Sequence, residues 1–395
     1  MEELYKKSRL YQRTVDDSFR RSIYEKIDWS NRLIGILGAR GTGKTTILLQ
    51  RMREVNEKGI YFSLDDLYFS ENKLFDVLEE FQQNGGQVAF VDEVHKYPGW
   101  SAEIKTAHDL FKDLKIVYSG SSIIDIYRQD GDLSRRAVQY KNYGLSFREY
   151  LHFKGLGNFN QLSLDQLLND HEEIADDLIK SFKPIEQFKK YLQKGYYPFF
   201  MESESAYFIK INQVINAIID SDLAFEKGVD AQHRKKMKQL LYILSTNVPF
   251  KPNISKLANK TGLYRSTLVK YIDYLEQAGV INTITKEGKS ISTLQKPDKI
   301  FLENPNLHFA LDIESANWGT VRESFILNQL KNSGNDVSLP PKGDFIVNDK
   351  SVIEVGGSNK TDKQIKHIPN SYIVADETEI GVGNKIPLWL FGFLY

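Results

Sequence analysis

The sequence predicts an α/β protein: a parallel sheet in the first third of the chain, helical modules in the middle and a second, smaller α/β domain at the end. Three observations carry that expectation. A short apolar run, Leu33-Ile34-Gly35-Ile36-Leu37, passes through a glycine-rich turn into Thr46-Ile47-Leu48-Leu49-Gln50-Arg51, which reads as a helix. A second run, Val88-Ala89-Phe90-Val91, is apolar throughout and ends in Asp92 and Glu93. A strand covered on both faces needs no polar side, and such strands belong to parallel sheets. Beyond residue 340, Phe345-Ile346-Val347 and Ser351-Val352-Ile353-Glu354-Val355 repeat the pattern of short apolar runs beside acids.

The turn after the first run is Gly38-Ala39-Arg40-Gly41-Thr42-Gly43-Lys44-Thr45, a complete G-x-x-x-x-G-K-T loop in strand–loop–helix context. Its glycines let consecutive backbone N–H groups face a phosphate, and the helix N-terminus adds partial positive charge. Gly38, Ala39, Arg40, Gly41, Thr42, Gly43, Lys44, Thr45 and Thr46 are therefore the candidate nucleotide-binding stretch. Lys44 can reach the terminal phosphates, and the Thr45 hydroxyl suits Mg²⁺. ATP with Mg²⁺ is the expected ligand.

Gly59-Ile60-Tyr61-Phe62-Ser63-Leu64 is expected as the next strand, followed by a helix with Leu74, Val77, Leu78 and Phe81 on one face. In open α/β sheets ligands lie at the carboxyl ends of the strands. Asp92 there can hold the hydration shell of Mg²⁺, and Glu93 can orient and polarise an attacking water. A further strand, Lys115-Ile116-Val117-Tyr118-Ser119, ends at Gly120-Ser121-Ser122. Ser119 and Ser121 are both candidates to touch the γ-phosphate or the water, and a plain serine turn is the alternative. Asp132-Leu133-Ser134-Arg135-Arg136 presents two arginines. Either could act as an arginine finger, in cis or from a neighbouring subunit, or serve as a solvated or structural residue. His95 is expected to be structural, with no metal-ligand partner at suitable spacing.

Composition limits the rest. At 395 residues the chain exceeds the usual reach of one hydrophobic core, so two to four domains are expected. The 52 basic side chains balance 52 acidic ones, so any nucleic-acid contact has to come from a local patch. With no cysteine, disulfides and thiolate metal sites are excluded. Neither a signal peptide nor a membrane span is read, and a cytoplasmic location is expected.

Gly38 to Thr46, then Val91-Asp92-Glu93-Val94-His95-Lys96-Tyr97-Pro98-Gly99-Trp100, then Ser119-Gly120-Ser121-Ser122, and Asp132 to Arg136 together resemble one family. It is the prokaryotic AAA-type (AAA+) P-loop ATPases that carry a C-terminal domain of unknown function, DUF4143-like, with a restriction-endonuclease-like core. Gly144-Leu145-Ser146-Phe147-Arg148-Glu149-Tyr150 is similar to the segment closing that family's ATPase core. The resemblance implies a sheet with the Asp92–Glu93 strand inside, flanked by helices, and a helical lid and connector from about Leu162 to Phe225.

From Lys238 to about Lys296 the pattern changes. Leu240, Leu241, Ile243 and Leu244 mark one helix, Ile254-Ser255-Lys256-Leu257-Ala258 a second that stops at Thr261-Gly262-Leu263, and a third begins at Ser266. Gly279-Val280-Ile281-Asn282-Thr283-Ile284 then alternates like the first strand of a wing, which gives a winged helix-turn-helix pattern. Arg265, Ser266, Thr267 and Lys270 would lie on the exposed side of the recognition helix and could touch DNA. Such modules also bind proteins or pack on a lid.

In the last domain the resemblance implies an endonuclease-like core with Glu323, Asp344 and Glu354 at its acidic positions. In active members an Asp and a Glu across a hairpin bind a divalent cation, and a Lys two residues beyond the Glu helps activate water. That Lys position is Gly356 here, and Lys360 stands four residues further on. A degenerate core, with at most weak carboxylate-based metal affinity at Asp344 and Glu354, is expected.

The expected segments are an ATPase core over 1–155, a helical lid and connector over 156–230, a winged helix over 231–298 and an endonuclease-like domain over 299–395. The expected function is Mg²⁺-dependent ATP hydrolysis that drives a switch on nucleic acid or a protein partner, with an oligomer possible. The alternatives are an ATP-dependent nuclease using Asp344 and Glu354, and a nucleotide-gated DNA-binding regulator.

Overall fold

The computed structural model describes residues 1–55, 58–121, 133, 135–224, 228–246, 254–286, 297–311 and 316–395. The chain divides into two compact units, Met1–Gly144 and Leu145–Tyr395. The segments expected at 156–230, 231–298 and 299–395 all lie in the second.

The first unit is a five-stranded sheet with helices. In chain order it runs α1 (Glu2–Thr14), α2 (Ser22–Lys26), β1 (Leu33–Gly38), α3 (Lys44–Val55), β2 (Gly59–Ser63), α4 (Leu74–Gln83), β3 (Val88–Asp92), α5 (Trp100–Leu110), β4 (Lys115–Ser121) and β5 (Val138–Lys141). The strand order is β2-β3-β4-β1-β5, and every pairing is parallel. β3 is thus internal, which explains why Ala89, Phe90 and Val91 are all fully buried. β4 lies between β1 and β3, so the ends of three strands converge on one edge: Gly38, Asp92 and Ser119. α4 presents Leu74, Val77, Leu78 and Phe81 to the core, each buried. Burying one such side chain contributes roughly 1.5–3 kcal/mol, so this stripe outweighs any helix propensity. Two apolar clusters, one around Leu33, Phe81 and Tyr118 and the other around Ile36, Leu48 and Phe90, hold helices against the sheet.

The second unit opens with short helices at Phe147–Phe153, Leu164–Asn169, His171–Leu178 and Pro184–Lys194. Ser146 with Glu149, and Ser163 with Gln166, form reciprocal capping boxes that fix where the first two begin. Helices Ala231–Ser245, Ile254–Thr261 and Arg265–Gln277 are followed by an antiparallel ribbon of β6 (Ile281–Ile284) and β7 (Lys299–Leu302). A long helix, Trp318–Asn332, precedes a mixed sheet of β8 (Val337–Ser338), β9 (Phe345–Val347), β10 (Ser351–Gly356), β11 (Ser371–Ala375) and β12 (Lys385–Pro387). Its order is β12-β11-β10-β9-β8, antiparallel between β8, β9 and β10 and parallel between β10, β11 and β12. One core, rich in aromatics such as Phe147, Phe188, Phe325 and Trp389, serves both ends of this unit.

A buried polar network ties distant stretches of the unit together. Glu303 Oε1 accepts hydrogen bonds from Tyr196 Oη and Asn328 Nδ2, each at 2.8 Å. Asn306 Oδ1 accepts from the backbone N–H of Gly195 and Tyr196 at 3.0 and 2.8 Å, and from Tyr207 Oη. Asn306 Nδ2 donates to the carbonyls of Tyr191 and Leu192. Buried polar groups cost heavily when unpaired, so this set holds its members in one arrangement.

Candidate functional site

The phosphate-binding loop joins the end of β1 to α3. Gly41 and Gly43 have φ of 83° and 90°, a region that side chains other than hydrogen rarely enter. Gly38 is required for another reason: a Cβ there would stand 2.0 Å from the carbonyl oxygen of Asn142. Lys44 is 5% exposed and its Nζ donates to the carbonyls of Gly38 and Ala39 at 2.9 and 3.0 Å. The Thr42 hydroxyl donates to Ala39 O at 2.8 Å. Ala39 and Arg40 are half-buried, and Thr46 is exposed at the start of α3.

Asp92 is the hub of the strand ends. Its Oδ2 accepts from Thr45 Oγ1 at 2.6 Å and from Tyr61 Oη at 2.9 Å. Its Oδ1 accepts from Ser119 Oγ and from the Glu93 backbone N–H at 3.1 Å. Burial, reinforced by the neighbouring Asp92 carboxylate, pushes the Tyr61 hydroxyl well above its ordinary pKa, so it stays a donor. Asp92 is 2% exposed, and a buried carboxylate persists only where donors surround it.

Glu93 follows with φ of 52°, a left-handed conformation that costs a non-glycine residue ~1–3 kcal/mol and clusters at functional sites. Its Oε2 lies 3.4 Å from Nε2 of His95, which is itself buried. Thr45, Asp92, Glu93 and Ser119 therefore belong to one hydrogen-bonded neighbourhood, while Lys44 is bonded to the loop carbonyls. Thr45 and Asp92 present oxygen donors side by side, a donor set that suits Mg²⁺.

The two arginines differ. Arg136 forms a fork with Asp109, Nε to Oδ1 and Nη2 to Oδ2, both at 2.8 Å. This hydrogen-bonded pairing holds the Asp109 carboxyl down at about 2. Arg135 is exposed. Ser121 ends β4. Ser122, Asp132 and Ser134 lie outside the described residues.

Sequence reasoning passed over three residues here. Tyr61 was read only as part of a strand, although a Tyr in an otherwise apolar run signals a polar partner at its tip. Arg21 and Asn142 are far from the loop in sequence. Arg21 Nη1 donates to Thr42 O at 2.7 Å, and Asn142 Nδ2 donates to the same oxygen at 2.9 Å. β5, which brings Asn142 to the loop, was not read from its sequence, Val138-Gln139-Tyr140-Lys141, because its members are partly exposed at the sheet edge.

In the second unit, Asp344 and Glu354 are brought together across the β9–β10 hairpin. Asp344 N–H donates to Ile353 O at 2.9 Å, and Asp344 Oδ2 accepts from Val355 N–H at 2.8 Å. Glu354 is 2% exposed; its Oε1 pairs with Lys360 Nζ at 2.6 Å, and its Oε2 has no hydrogen-bond partner among the described residues. Glu323 is raised to about 7 by burial and by the nearby Asp344, and its Oε2 lies 3.6 Å from Lys299 Nζ. A Cβ at Gly356 would stand 2.6 Å from the Lys360 side chain, so Lys360 fills the space a side chain at 356 would take. The displacement to position 360 thus does not take the lysine away from Glu354. Among the described residues, no group of three or more His, Asp or Glu stands placed to hold a metal ion.

Arg265, Ser266 and Lys270 are exposed and Thr267 half-buried on Arg265–Gln277, and Tyr264 at its N-cap is 85% exposed. Among the described residues no helix is long and apolar enough to cross a membrane.

Comparison with known proteins adds to this geometry. Residues 30–151 match a family model described as an AAA domain, and residues 185–315 match one described as a domain of unknown function (DUF8612). An uncharacterized protein of Methanocaldococcus jannaschii is 29% identical, over 92% of this chain and 84% of its own length. An uncharacterized protein of Haemophilus influenzae is 24% identical, over 85% of this chain and 86% of its own. Among solved structures, the RuvB Holliday junction branch migration motor of Thermotoga maritima is 16% identical and aligns with 72% of this chain and 89% of its own, at a TM-score of 0.27. That overlap is too loose to bear on the fold, which rests on the loop, the strand order and the AAA-domain match. Residues 30–151 thus combine the G-x-x-x-x-G-K-T loop and a wholly parallel five-stranded sheet with similarity to an AAA domain.

Proposed function

We propose that the chain hydrolyses ATP to ADP and phosphate at the carboxyl edge of the first sheet and uses the cycle to switch its hold on nucleic acid or a protein partner. The observation that carries the reading is the junction of Thr45, Asp92 and Ser119, which joins the loop to the ends of two further strands. Lys44 leaves the carbonyls of Gly38 and Ala39 and turns to the terminal phosphates, where its charge offsets theirs. Thr45 and Asp92 would hold Mg²⁺, which on binding neutralises charge on the β- and γ-phosphates. Glu93 accepts the proton of the attacking water, and Ser119 fixes Asp92 and lies at the strand end beside Glu93. Arg135 is the better finger candidate, because Arg136 is engaged by Asp109. The test is steady-state ATPase of Glu93→Gln: ATP binding retained and turnover lower by orders of magnitude, whereas unchanged turnover would move the water-activating role elsewhere.

For the partner, the exposed Tyr264, Arg265, Ser266 and Lys270 support a winged-helix face that meets DNA. Phosphate contacts of this kind weaken steeply with salt. DNA affinity that neither falls with salt nor drops in Arg265→Ala would favour a protein partner.

A second reading is favoured by one observation, the position of Lys360 beside Glu354. Mg²⁺ is commonly bound by one or two carboxylates together with substrate phosphate and water, so Asp344 and Glu354 do not need a third protein ligand. Under this reading the endonuclease-like, DUF4143-like core keeps its lysine from a different position and cleaves phosphodiesters. Cleavage of DNA or RNA with Mg²⁺ or Mn²⁺ that Asp344→Ala abolishes would establish it; a clean negative leaves the domain as a docking surface.

A further inference from the structure

Arg21 takes no direct part in the chemistry proposed above, yet its guanidinium is buried beneath the phosphate-binding loop, with the residue 6% exposed. Removing such a group from water costs several kcal/mol unless its donors are met. They are met by backbone carbonyls on two sides. Nη1 donates to Thr42 O at 2.7 Å, and Nη2 donates to Tyr143 O and Gly144 O, each at 2.9 Å. Asn142, on the strand-end segment that Arg21 also grips, donates to Thr42 O at 2.9 Å and to Thr42 Oγ1 at 3.2 Å.

The consequence lies in the peptide unit. A trans peptide is planar, with its C=O and N–H pointing in opposite directions. Fixing the Thr42 carbonyl from below therefore fixes the direction of the Gly43 N–H on the other side. Gly43, at φ of 90°, then carries the chain into α3. We propose that Arg21 is a positioning residue for nucleotide binding: through the Thr42 carbonyl it holds the Gly43 N–H, and so the loop, in the orientation that receives phosphate. The inference rests on the ATP-binding reading of the loop. A planar fork suits carbonyls on two sides, whereas the ammonium of a lysine is a single point and cannot span them.

The test is the affinity of the full chain for ATP and for ADP by titration calorimetry, with kcat and KM, for wild type, Arg21→Lys and Arg21→Ala. Loss of the held peptide is expected to weaken both nucleotides ~10–100-fold, the scale of one hydrogen bond from a charged donor. Because the contact is made equally before and during reaction, KM should rise with kcat at saturating ATP within about threefold of wild type. Guanidinium ion in the millimolar range should restore affinity to Arg21→Ala, while the rise of KM at a nearly unchanged kcat is the readout that a merely structural arginine would not give. If Arg21→Ala fails to fold, Arg21→Lys carries the affinity test. Wild-type affinity in a folded variant, or a joint fall of kcat and affinity without rescue, would overturn the proposal and leave nucleotide binding intact. Failure of the wild type itself to bind ATP would remove both.

Discussion

The two carboxylate centres of this chain are built on opposite principles. Asp92 is surrounded by neutral donors, Thr45, Tyr61, Ser119 and the Glu93 N–H, with both oxygens engaged. Glu354 is held on one oxygen by an ammonium and has no hydrogen-bond partner on the other among the described residues, while Glu323 nearby is pushed toward neutrality. Neutral dipoles fix a carboxylate without bringing a counter-charge to it, which leaves that role to a cation from outside. A lysine both fixes and discharges, so the second centre already contains its counter-charge. The first arrangement suits turnover with a ligand that comes and goes. The second suits either water activation by Lys360 or a closed, structural site.

Experiments can press on that contrast, from the largest effect downward. Lys44→Ala should abolish productive ATP binding, since the loop loses its mobile cation; ATP affinity equal to wild type in calorimetry would refute the loop's role. Glu354→Gln should be costly in a different way. It leaves Lys360, whose side chain is 28% exposed, without its partner, and water can reach the remaining ammonium, so the cost is expected at about 1–2 kcal/mol, read as a loss of thermal stability with ATPase unchanged. A variant as stable as wild type would mean that the pair is solvated in solution.

Arg135→Ala and Arg136→Ala should separate. Arg135→Ala is expected to lower turnover with little change in ATP affinity, whereas Arg136→Ala frees Asp109 and should lower the melting temperature by a few degrees at most, ~1–3 °C. Turnover that is normal in a folded Arg135→Ala would place the finger elsewhere.

The smallest expected effect concerns pH. Glu323 binds its proton up to about 7 in the folded protein against an ordinary 4.5. Between those values the folded chain holds a proton that the unfolded chain has released, so this group makes stability fall as pH rises through that window. Glu323→Gln should flatten the decline of melting temperature across that window. An unchanged slope would assign the decline to other groups.

The sequence made the loop, β3 and the Asp92–Glu93 pair legible because each is a local pattern: closely spaced glycines before Lys44 and Thr45, a wholly apolar run, acids at its end. Arg21, Tyr61 and Asn142 were invisible because their roles arise from pairing between strands and loops distant in sequence. Ser119 stood out beside Ser121 only as one of two candidates; its bond to Asp92 needs β4 beside β3. Lys360 shows a third case. Spacing alone placed it four residues out of position, yet the turn after β10 folds it back over Gly356.

The polar network around Glu303 and Asn306 also governs where the chain can be cut. Residues 191–207, 303–306 and 328 are stitched together inside one core. A fragment starting at 299 would keep Glu303, Asn306 and Asn328 but lose Tyr196, Tyr207 and the carbonyls of Tyr191 and Leu192. The orphaned groups would need water in a place shaped to exclude it. A limited proteolysis experiment should therefore find the stable piece beginning near residue 145, and pieces divided at 230 or 298 should be recovered only as co-purifying pairs.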